Sequence, residues 1–556
     1  MENNKYKNYS REELIEELET LKKKKYGLVW DKKNSQEAID AFVNWENVPE
    51  NFTPKQFPVL KEVKNKEIET DKNKPVNLLI EGDNYHSLAV LNFTHQNKID
   101  VIYIDPPYNT GNNDFAYNDK FVDREDPFRH SKWLSFMEKR LWLAFRLLKN
   151  TGVIFISIDD NEQAQLKLLC DEVFGENNFI ANIVRKRRGS QANLSKNIST
   201  IHEYLLCYAK SRNSQLNKLN PEINEENYKN PDNDQRGSYV TMPCTNKGGA
   251  KYEVTTPTGK KHFDEWRFKK ETYKHLLEEN KIVFPKNGDG KPRYKLFLKD
   301  KSEAGVIANS WWDDAATNQE ATVELKNFFN GEIIFNNPKP VDLLRRILNL
   351  SANKQSIVLD FMAGSGTTGQ AVLELNKEDG GNRKFILCTN NEELDNNGNL
   401  KKHKICSDVC YPRVEKVING YKNSKGENVA GLGGNLKYFK TDFVGSDSTD
   451  KNKRDLVNKA TEMICIKEDI FYLAVGRGQD FKIYQKGKKF LGVIFDIDAI
   501  NDFKNEAEKY RGNFVVYCFS YNEVTPESEF KGLKNKYILK PIPAVILRIY
   551  SEIFKK

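Results

Sequence analysis

Apolar and polar positions along this chain follow two periods. Short apolar runs, dense in β-branched residues and closed by Gly, Pro, Asn or Asp, predict strands at 77–83, 99–104, 356–359 and 384–388. Between them lie stripes at helical spacing. Trp133, Leu134, Met137, Leu141, Ala144 and Leu148 mark one amphipathic helix over 131–148, and 370–375 reads as another. Residues 10–25 read as a helix capped by Ser10, with Glu12 and Glu13 in its first turn and Lys22 to Lys25 at its end. Towards the other end, 490–495 and 513–519 predict strands and 498–510 a helix. The alternation of strand and helix predicts an α/β class. Residues 211–330 break it, being polar, dotted with aromatics and rich in Asn, Lys and Gly, as in Asn246-Lys-Gly-Gly249.

Bulk properties narrow the picture modestly. A chain of 556 residues supports about three domains. The excess of 87 Lys and Arg over 79 acids is mild and does not by itself demand a polyanion partner. No apolar run is long enough to predict a membrane span, and the first residues lack a signal h-region. Eight cysteines sit singly, several inside apolar strands (Cys207, Cys388, Cys518), which suits a reducing, cytoplasmic setting. His403, Cys406 and Cys410 contain no CxxC pair, so buried thiols are expected there and no metal.

The chemistry concentrates in two places. Asp105-Pro106-Pro107-Tyr108 follows the apolar run 99–104 directly. A carboxylate and the Pro106 carbonyl are two acceptors for one exocyclic amino group, and two prolines stiffen the backbone that carries them. The Tyr108 ring offers a stacking face, worth roughly 1–3 kcal/mol per base. Alone, the tetrapeptide is equally a stiff turn.

The second place is Asp360-Phe361-Met362-Ala363-Gly364-Ser365-Gly366-Thr367-Thr368-Gly369, between a predicted strand and a predicted helix. Gly364 and Gly366 let backbone approach a ligand, and Thr367 and Thr368 are candidate caps for the helix start. No Gly-Lys-Ser/Thr follows, so this is not a P-loop. An acid at the strand end favours a cofactor carrying an ammonium group, such as S-adenosyl-L-methionine. The next strand ends in Thr389-Asn-Asn-Glu392, where an acid is placed to hold ribose hydroxyls. Glu392 is the first choice and Glu393 the second; either residue also reads as a solvated loop carboxylate.

Together these motifs resemble β-class amino-group DNA methyltransferases, in which the Asp-Pro-Pro-Tyr motif precedes the cofactor motif in the chain. Position 105 precedes position 360 here. Phe335-Asn-Asn-Pro-Lys339-Pro340 resembles the segment that closes over the methionine part of the cofactor, and the carboxylate of Asp83 the contact near its adenine ring. Residues 152–161 and 202–210 resemble later strands of the catalytic sheet. More narrowly, Lys25–Trp30, Ser310–Glu320 and Leu432–Phe443 are similar to the modification (Mod) subunits of type III restriction-modification systems. Met362 and Gln370 depart from the commoner Phe and His.

The resemblance implies a Rossmann-like methyltransferase sheet with circularly permuted motif order, an inserted target recognition domain and a smaller carboxy-terminal α/β domain. The expected boundaries are 1–75 (extension), 76–210 (first catalytic part), 211–330 (target recognition), 331–425 (cofactor part) and 426–556 (carboxy-terminal domain). It implies transfer of a methyl group to N6 of a flipped adenine in duplex DNA, because Asp in the first motif position resembles the adenine-modifying members. Catalysis is expected of Asp105, Pro106, Pro107 and Tyr108, and cofactor contact of Asp83, Lys339, Asp360, Phe361, Ala363, Gly364, Ser365, Gly366, Thr367, Thr368 and Glu392. The basic run Arg185-Lys186-Arg187-Arg188 is expected to touch DNA phosphates. The amino-terminal helix and the carboxy-terminal domain are candidates for a homodimer contact and for docking a restriction (Res) subunit, since the chain carries no P-loop of its own.

Other readings share some of these residues. A solitary or type II-like adenine methyltransferase, and an RNA or protein-glutamine methyltransferase, have related motifs. A dinucleotide-dependent oxidoreductase would use the glycine turn and leave Asp105 to Tyr108 unexplained. A non-catalytic DNA-recognition scaffold would tolerate loss of Asp105.

Overall fold

The computed structural model describes residues 10–12, 15, 28–32, 56–111, 114–117, 120–190, 197–221, 223–391, 403–446, 449–478, 480–520 and 524–554. Most of the expected helix at 10–25, together with Glu392 and Glu393, lies outside them. The chain divides into two units, one made of residues up to 215 and from 309 onward, the other of 216–308.

The larger unit is built on a sheet of eleven strands. In chain order they are β1 (Gln56–Glu62), β2 (Ile68–Glu69), β3 (Val76–Glu81), β4 (Ile99–Ile104), β5 (Leu148–Ile158), β6 (Phe179–Lys186), β7 (His202–Ala209), β8 (Trp311–Trp312), β9 (Ile357–Asp360), β10 (Lys384–Thr389) and β11 (Asn435–Gly445). Their spatial order is β1-β11-β3-β10-β9-β4-β5-β7-β6-β8, with β2 on β11. Strands β11 through β5 run parallel, and β7 is antiparallel to both its neighbours. The middle strands are largely apolar and buried, with Ile99, Val101, Ile102 and Ile104 in β4 and Val358 and Leu359 in β9 at 0% exposure, as expected of parallel strands covered on both faces.

Helices α1 (Asn84–His95), α2 (Arg129–Leu147), α3 (Val341–Ser351), α4 (Thr367–Asp379) and α5 (Tyr411–Asn419) accompany this sheet. Asp83 caps α1 by accepting the Tyr85 N–H at 2.7 Å. In α2 the stripe Trp133, Leu134, Met137, Leu141, Ala144 and Leu147 is buried in the common core. Each large apolar side chain so buried is worth roughly 1.5–3 kcal/mol.

Two expected boundaries move. The strand β11 was expected in a separate domain after 425, yet it lies inside the main sheet between β1 and β3. The strand β1 was expected in the amino-terminal extension, yet it pairs with β11 over its whole length. In each case the competing force is sheet pairing that covers an edge with unpaired N–H and C=O groups. The rest of the carboxy-terminal segment forms its own five-stranded sheet over 472–542. Helices α6 (Thr461–Glu468) and α7 (Ala544–Phe554) pack residues of this segment into the same core as α1 and α2, so it is not a free-standing domain. Arg146 at the end of α2 lies 3.0 Å from Glu552 of α7.

The smaller unit begins and ends within the expected insertion, at 216 and 308 instead of 211 and 330. It contains a three-stranded antiparallel sheet (Tyr239–Pro243, Ile282–Val283, Arg293–Phe297), a hairpin (Thr245–Thr255 with Lys261–Trp266) and a helix (Lys270–Glu278). Its own core holds Cys244, Tyr252, Val254, Trp266, Tyr273 and Ile282.

Candidate active site

Strands β9 and β4 lie side by side and parallel, with Val358 opposite Val101 and Leu359 opposite Ile102. The two sequence motifs, about 250 residues apart in the chain, therefore leave the same edge of the sheet from adjacent strands. In open α/β sheets the crevice outside the carboxyl ends of the strands is where ligands bind.

The cofactor motif folds as a braced turn. Asp360, 3% exposed, accepts the Met362 N–H at 3.1 Å and the Thr368 hydroxyl at 2.5 Å. Burial pushes its carboxyl up to about 7, and the neighbouring Asp105 adds to the rise. Gly364 (φ +48°) and Gly366 (φ +81°) both take left-handed backbone. A Cβ on Gly364 would stand 3.2 Å from the Phe335 ring, and one on Gly366 3.0 Å from Cys410 Sγ. Gly366 is itself the cap residue of α4, with no side-chain cap. Thr367 and Thr368 are thus not caps as expected. The Thr367 hydroxyl donates to the Lys339 carbonyl at 3.1 Å and that of Thr368 to Asp360. Behind the turn Arg413, 1% exposed, donates to Ser365 (3.0 Å), Thr367 (2.8 Å) and Gln370 (2.9 Å). The Ala363 N–H donates to the Cys388 carbonyl at 3.1 Å, tying the turn to β10. Phe361 is buried in the core, so only its backbone lies on the turn. This Cβ-free approach of backbone at a helix start fits a nucleoside or amino-acid moiety.

Beyond the end of β3, Asp83 caps α1 and lies 3.6 Å from Arg140. Glu81, which sequence reasoning passed over, is held by Asn391 (2.8 Å), Lys440 (2.8 Å) and the Tyr438 hydroxyl.

The catalytic motif is equally tied. Trp133 Nε1 donates to the Pro107 carbonyl at 2.7 Å. Among the described residues none donates to the Pro106 carbonyl. The Tyr108 hydroxyl donates to Asp105 Oδ1 at 3.0 Å. Asp105 keeps 28% side-chain exposure; burial and the nearby Glu203 raise its carboxyl above the usual range, opposed by Lys339.

Lys339, expected at the cofactor, turns its side chain to the catalytic motif. The ammonium lies 3.2 Å from Asp105 Oδ1, 2.9 and 3.1 Å from the two oxygens of Glu203, and donates to the Tyr108 hydroxyl at 2.7 Å. Only its carbonyl meets the cofactor turn. Glu203, on β7, is 1% exposed and also pairs with Arg185 at 3.3 Å. Burial alone would raise its carboxyl, but Lys339 and Arg185 outweigh that and hold it below its ordinary value.

The expectation for Arg185 is also corrected. Arg185 is 1% exposed, paired with Glu203 and 2.5 Å from Asn318 Oδ1, so it faces inward and offers nothing to a phosphate. The reason is the period of a strand: consecutive residues of β6 point to opposite faces, so one basic run cannot present all its charges together. Lys186, Arg187 and Arg188 retain partial exposure, with Arg187 3.8 Å from Asp159.

Next to Tyr108, Asn109 takes left-handed backbone (φ +55°) and donates to Glu162 at 2.5 Å. Glu162 also meets His130 Nδ1 at 2.6 Å, and burial pushes its carboxyl up to about 8. Cys406 and Cys410 are buried thiols, and burial pushes the former up to about 12.

Residues 99–397 match the DNA methylase family N6_N4_Mtase. The StyLTI Mod subunit of a type III restriction-modification enzyme from Salmonella typhimurium is 39% identical, covering 89% of this chain and 82% of that protein. The EcoPI Mod subunit of Escherichia phage P1 is 32% identical over 67% of each chain. Among solved structures, the PvuII cytosine-N4-specific DNA methyltransferase aligns over 65% of this chain and 96% of its own at 13% identity, with a TM-score of only 0.34. The chain belongs to the DNA methylase family and, within it, to the Mod subunits of type III restriction-modification enzymes.

Proposed function

We propose that this chain methylates N6 of adenine in duplex DNA at a specific sequence, using S-adenosyl-L-methionine, as the modification subunit of a type III restriction-modification system. The observation that carries the reading is the pairing of β4 with β9, which brings an acceptor-and-ring clamp and a Cβ-free turn to one edge.

When bound, S-adenosyl-L-methionine supplies an electrophilic methyl group on a sulfonium. The residues of the turn at 363–368, with Asp360 and the end of β3 including Asp83, would hold it. Glu392, in the position that would meet ribose hydroxyls, falls outside the described residues. A target base inside a duplex must first be flipped out, at a cost of a few kcal/mol. Tyr108 then stacks on the base. Asp105 and the Pro106 carbonyl accept the two amino hydrogens, which draws the nitrogen lone pair out of conjugation and aims it at the methyl. The contribution of the protein is alignment and electrostatics. As the nitrogen gains a methyl it sheds a proton, and Asp105, whose carboxyl sits above the usual range, is the nearest acceptor.

In this reading the unit over 216–308 is the target recognition domain, and Lys186, Arg187 and Arg188 supply phosphate contacts. A homodimer and a restriction subunit are its partners. The eight reduced, buried cysteines support a cytoplasmic setting. A methyl-transfer assay on duplex DNA, tRNA and protein tests the reading. Transfer to duplex DNA, lost in Asp105→Ala, is the expected result; transfer to RNA or protein alone would refute it.

A further inference from the structure

Glu203 touches neither motif by sequence, yet it lies in the middle of the clamp. We propose that Glu203 is a positioning residue for methyl transfer: it draws the Lys339 ammonium away from Asp105, so that the carboxylate remains available to the amino group of the base. This rests on the function proposed above.

The distances carry it. Lys339 Nζ is nearer to both Glu203 oxygens, at 2.9 and 3.1 Å, than to Asp105 Oδ1, at 3.2 Å. An ammonium has three donors. One goes to the Tyr108 hydroxyl at 2.7 Å, which leaves two to divide between the two acids. Lys339 is 7% exposed and the Glu203 side chain fully buried, so these donors are met chiefly by protein groups. A buried charge left without its counter-charge is costly, and the ion would seek the next acid. Without Glu203 that acid is Asp105. Two faults would result. The acceptor needed by the amino group would be taken by a lysine, and an uncompensated cation would stand beside a nitrogen that becomes positive during transfer. Arg185, 3.3 Å from the same Glu203 oxygen that Lys339 meets at 2.9 Å, helps hold the acid ionised. Two cations and two acids thus make a balanced cluster, in which only Asp105 keeps an exposed face, of 28%.

The test uses four full-length proteins: wild type, Glu203→Gln, Lys339→Met and the double variant. Turnover on duplex DNA, calorimetric affinity for S-adenosyl-L-methionine and the pH dependence of kcat are measured for each. Glu203→Gln is expected to lower kcat by about 100-fold, the scale of a misaligned reacting group, with cofactor affinity retained. Adding Lys339→Met removes the misplaced cation and should restore about tenfold, the size of a coupling between neighbouring residues. A purely structural Glu203 predicts no such rescue. The acid limb of kcat gives a second readout. Asp105 faces Lys339, Glu203, Tyr108, Tyr103 and Asp360. Losing the Glu203 charge and gaining Lys339 lowers its proton affinity, so the limb moves to lower pH in Glu203→Gln. Losing Lys339 raises it, so the limb moves to higher pH in Lys339→Met. A double variant as slow as Glu203→Gln alone overturns the proposal, as does a limb unmoved in both single variants. If Glu203→Gln does not fold, the Lys339→Met limb decides: upward movement supports the proposal and no movement overturns it. A wild-type chain that methylates no DNA would instead refute the function on which the proposal rests.

Discussion

The Thr367 hydroxyl donates to the Lys339 carbonyl at 3.1 Å, and through that bond the cofactor turn is joined to the residue whose ammonium lies among Asp105, Tyr108 and Glu203. One backbone contact therefore couples the two halves of the site. Thr367→Val removes it and leaves a buried carbonyl without its partner, a loss of about 1–3 kcal/mol. Thermal unfolding should show that loss, and Thr367→Ser should recover most of it. Cofactor affinity and turnover should fall together in the valine variant.

Gly366 leaves little room for a side chain. Its left-handed backbone alone costs an L-residue about 1–2 kcal/mol, and a Cβ would meet Cys410 Sγ at 3.0 Å. Gly366→Ala should weaken calorimetric binding of S-adenosyl-L-methionine far more than binding of duplex DNA. Equal weakening of both would contradict the assignment of this turn to the cofactor.

Arg185 and Arg188, three residues apart, should behave as opposites. Arg185→Ala breaks a buried pair and leaves Glu203 facing Lys339 alone, a destabilisation of about 3–5 kcal/mol by chemical denaturation. Arg188→Ala should leave stability alone and reduce the salt slope of DNA binding by about one phosphate. Loss of DNA affinity without loss of stability in Arg185→Ala would contradict the buried position.

Glu162 gives a stability term with a definite sign. Its carboxyl is raised from 4.5 to about 8 by burial, so the folded chain binds a proton that the unfolded chain releases between those values. Stability contributed by this group is present below about 4.5 and is lost as pH rises to about 8, by up to about 1.4 kcal/mol per pH unit. Glu162→Gln should flatten that fall, seen as melting temperatures that converge with wild type at low pH and exceed it near pH 8. A wild-type curve flat across this range would contradict the neutral form.

Much of the site was legible along the chain because it is local. Asp105 to Tyr108 and Asp360 to Thr368 each adjoin the end of a Val- and Ile-rich strand, and residues at a strand's carboxyl end stand at a sheet edge. The part that stayed hidden depends on register between distant segments. Glu203 meets Arg185 only because β7 pairs with β6 with those two residues opposite each other, and nothing near either residue encodes that offset. The same blindness read Arg185 as a surface charge. The strand β11 falls after the expected boundary at 425, because its partners β1 and β3 lie more than 350 residues earlier and nothing local announces that pairing. In the fold, Lys437 is paired with Glu62 and Glu67, and Tyr438 and Phe439 are buried.

In the proposed reaction a carboxylate clamp and a glycine turn from distant parts of the chain act on one base. Single-molecule sequencing of DNA treated with the purified chain tests it most directly. N6-methyladenine is expected at one recurring sequence and absent with Asp105→Ala, while this variant still binds S-adenosyl-L-methionine by calorimetry. Methylation that survives Asp105→Ala, or a mark found only on cytosine, would contradict it.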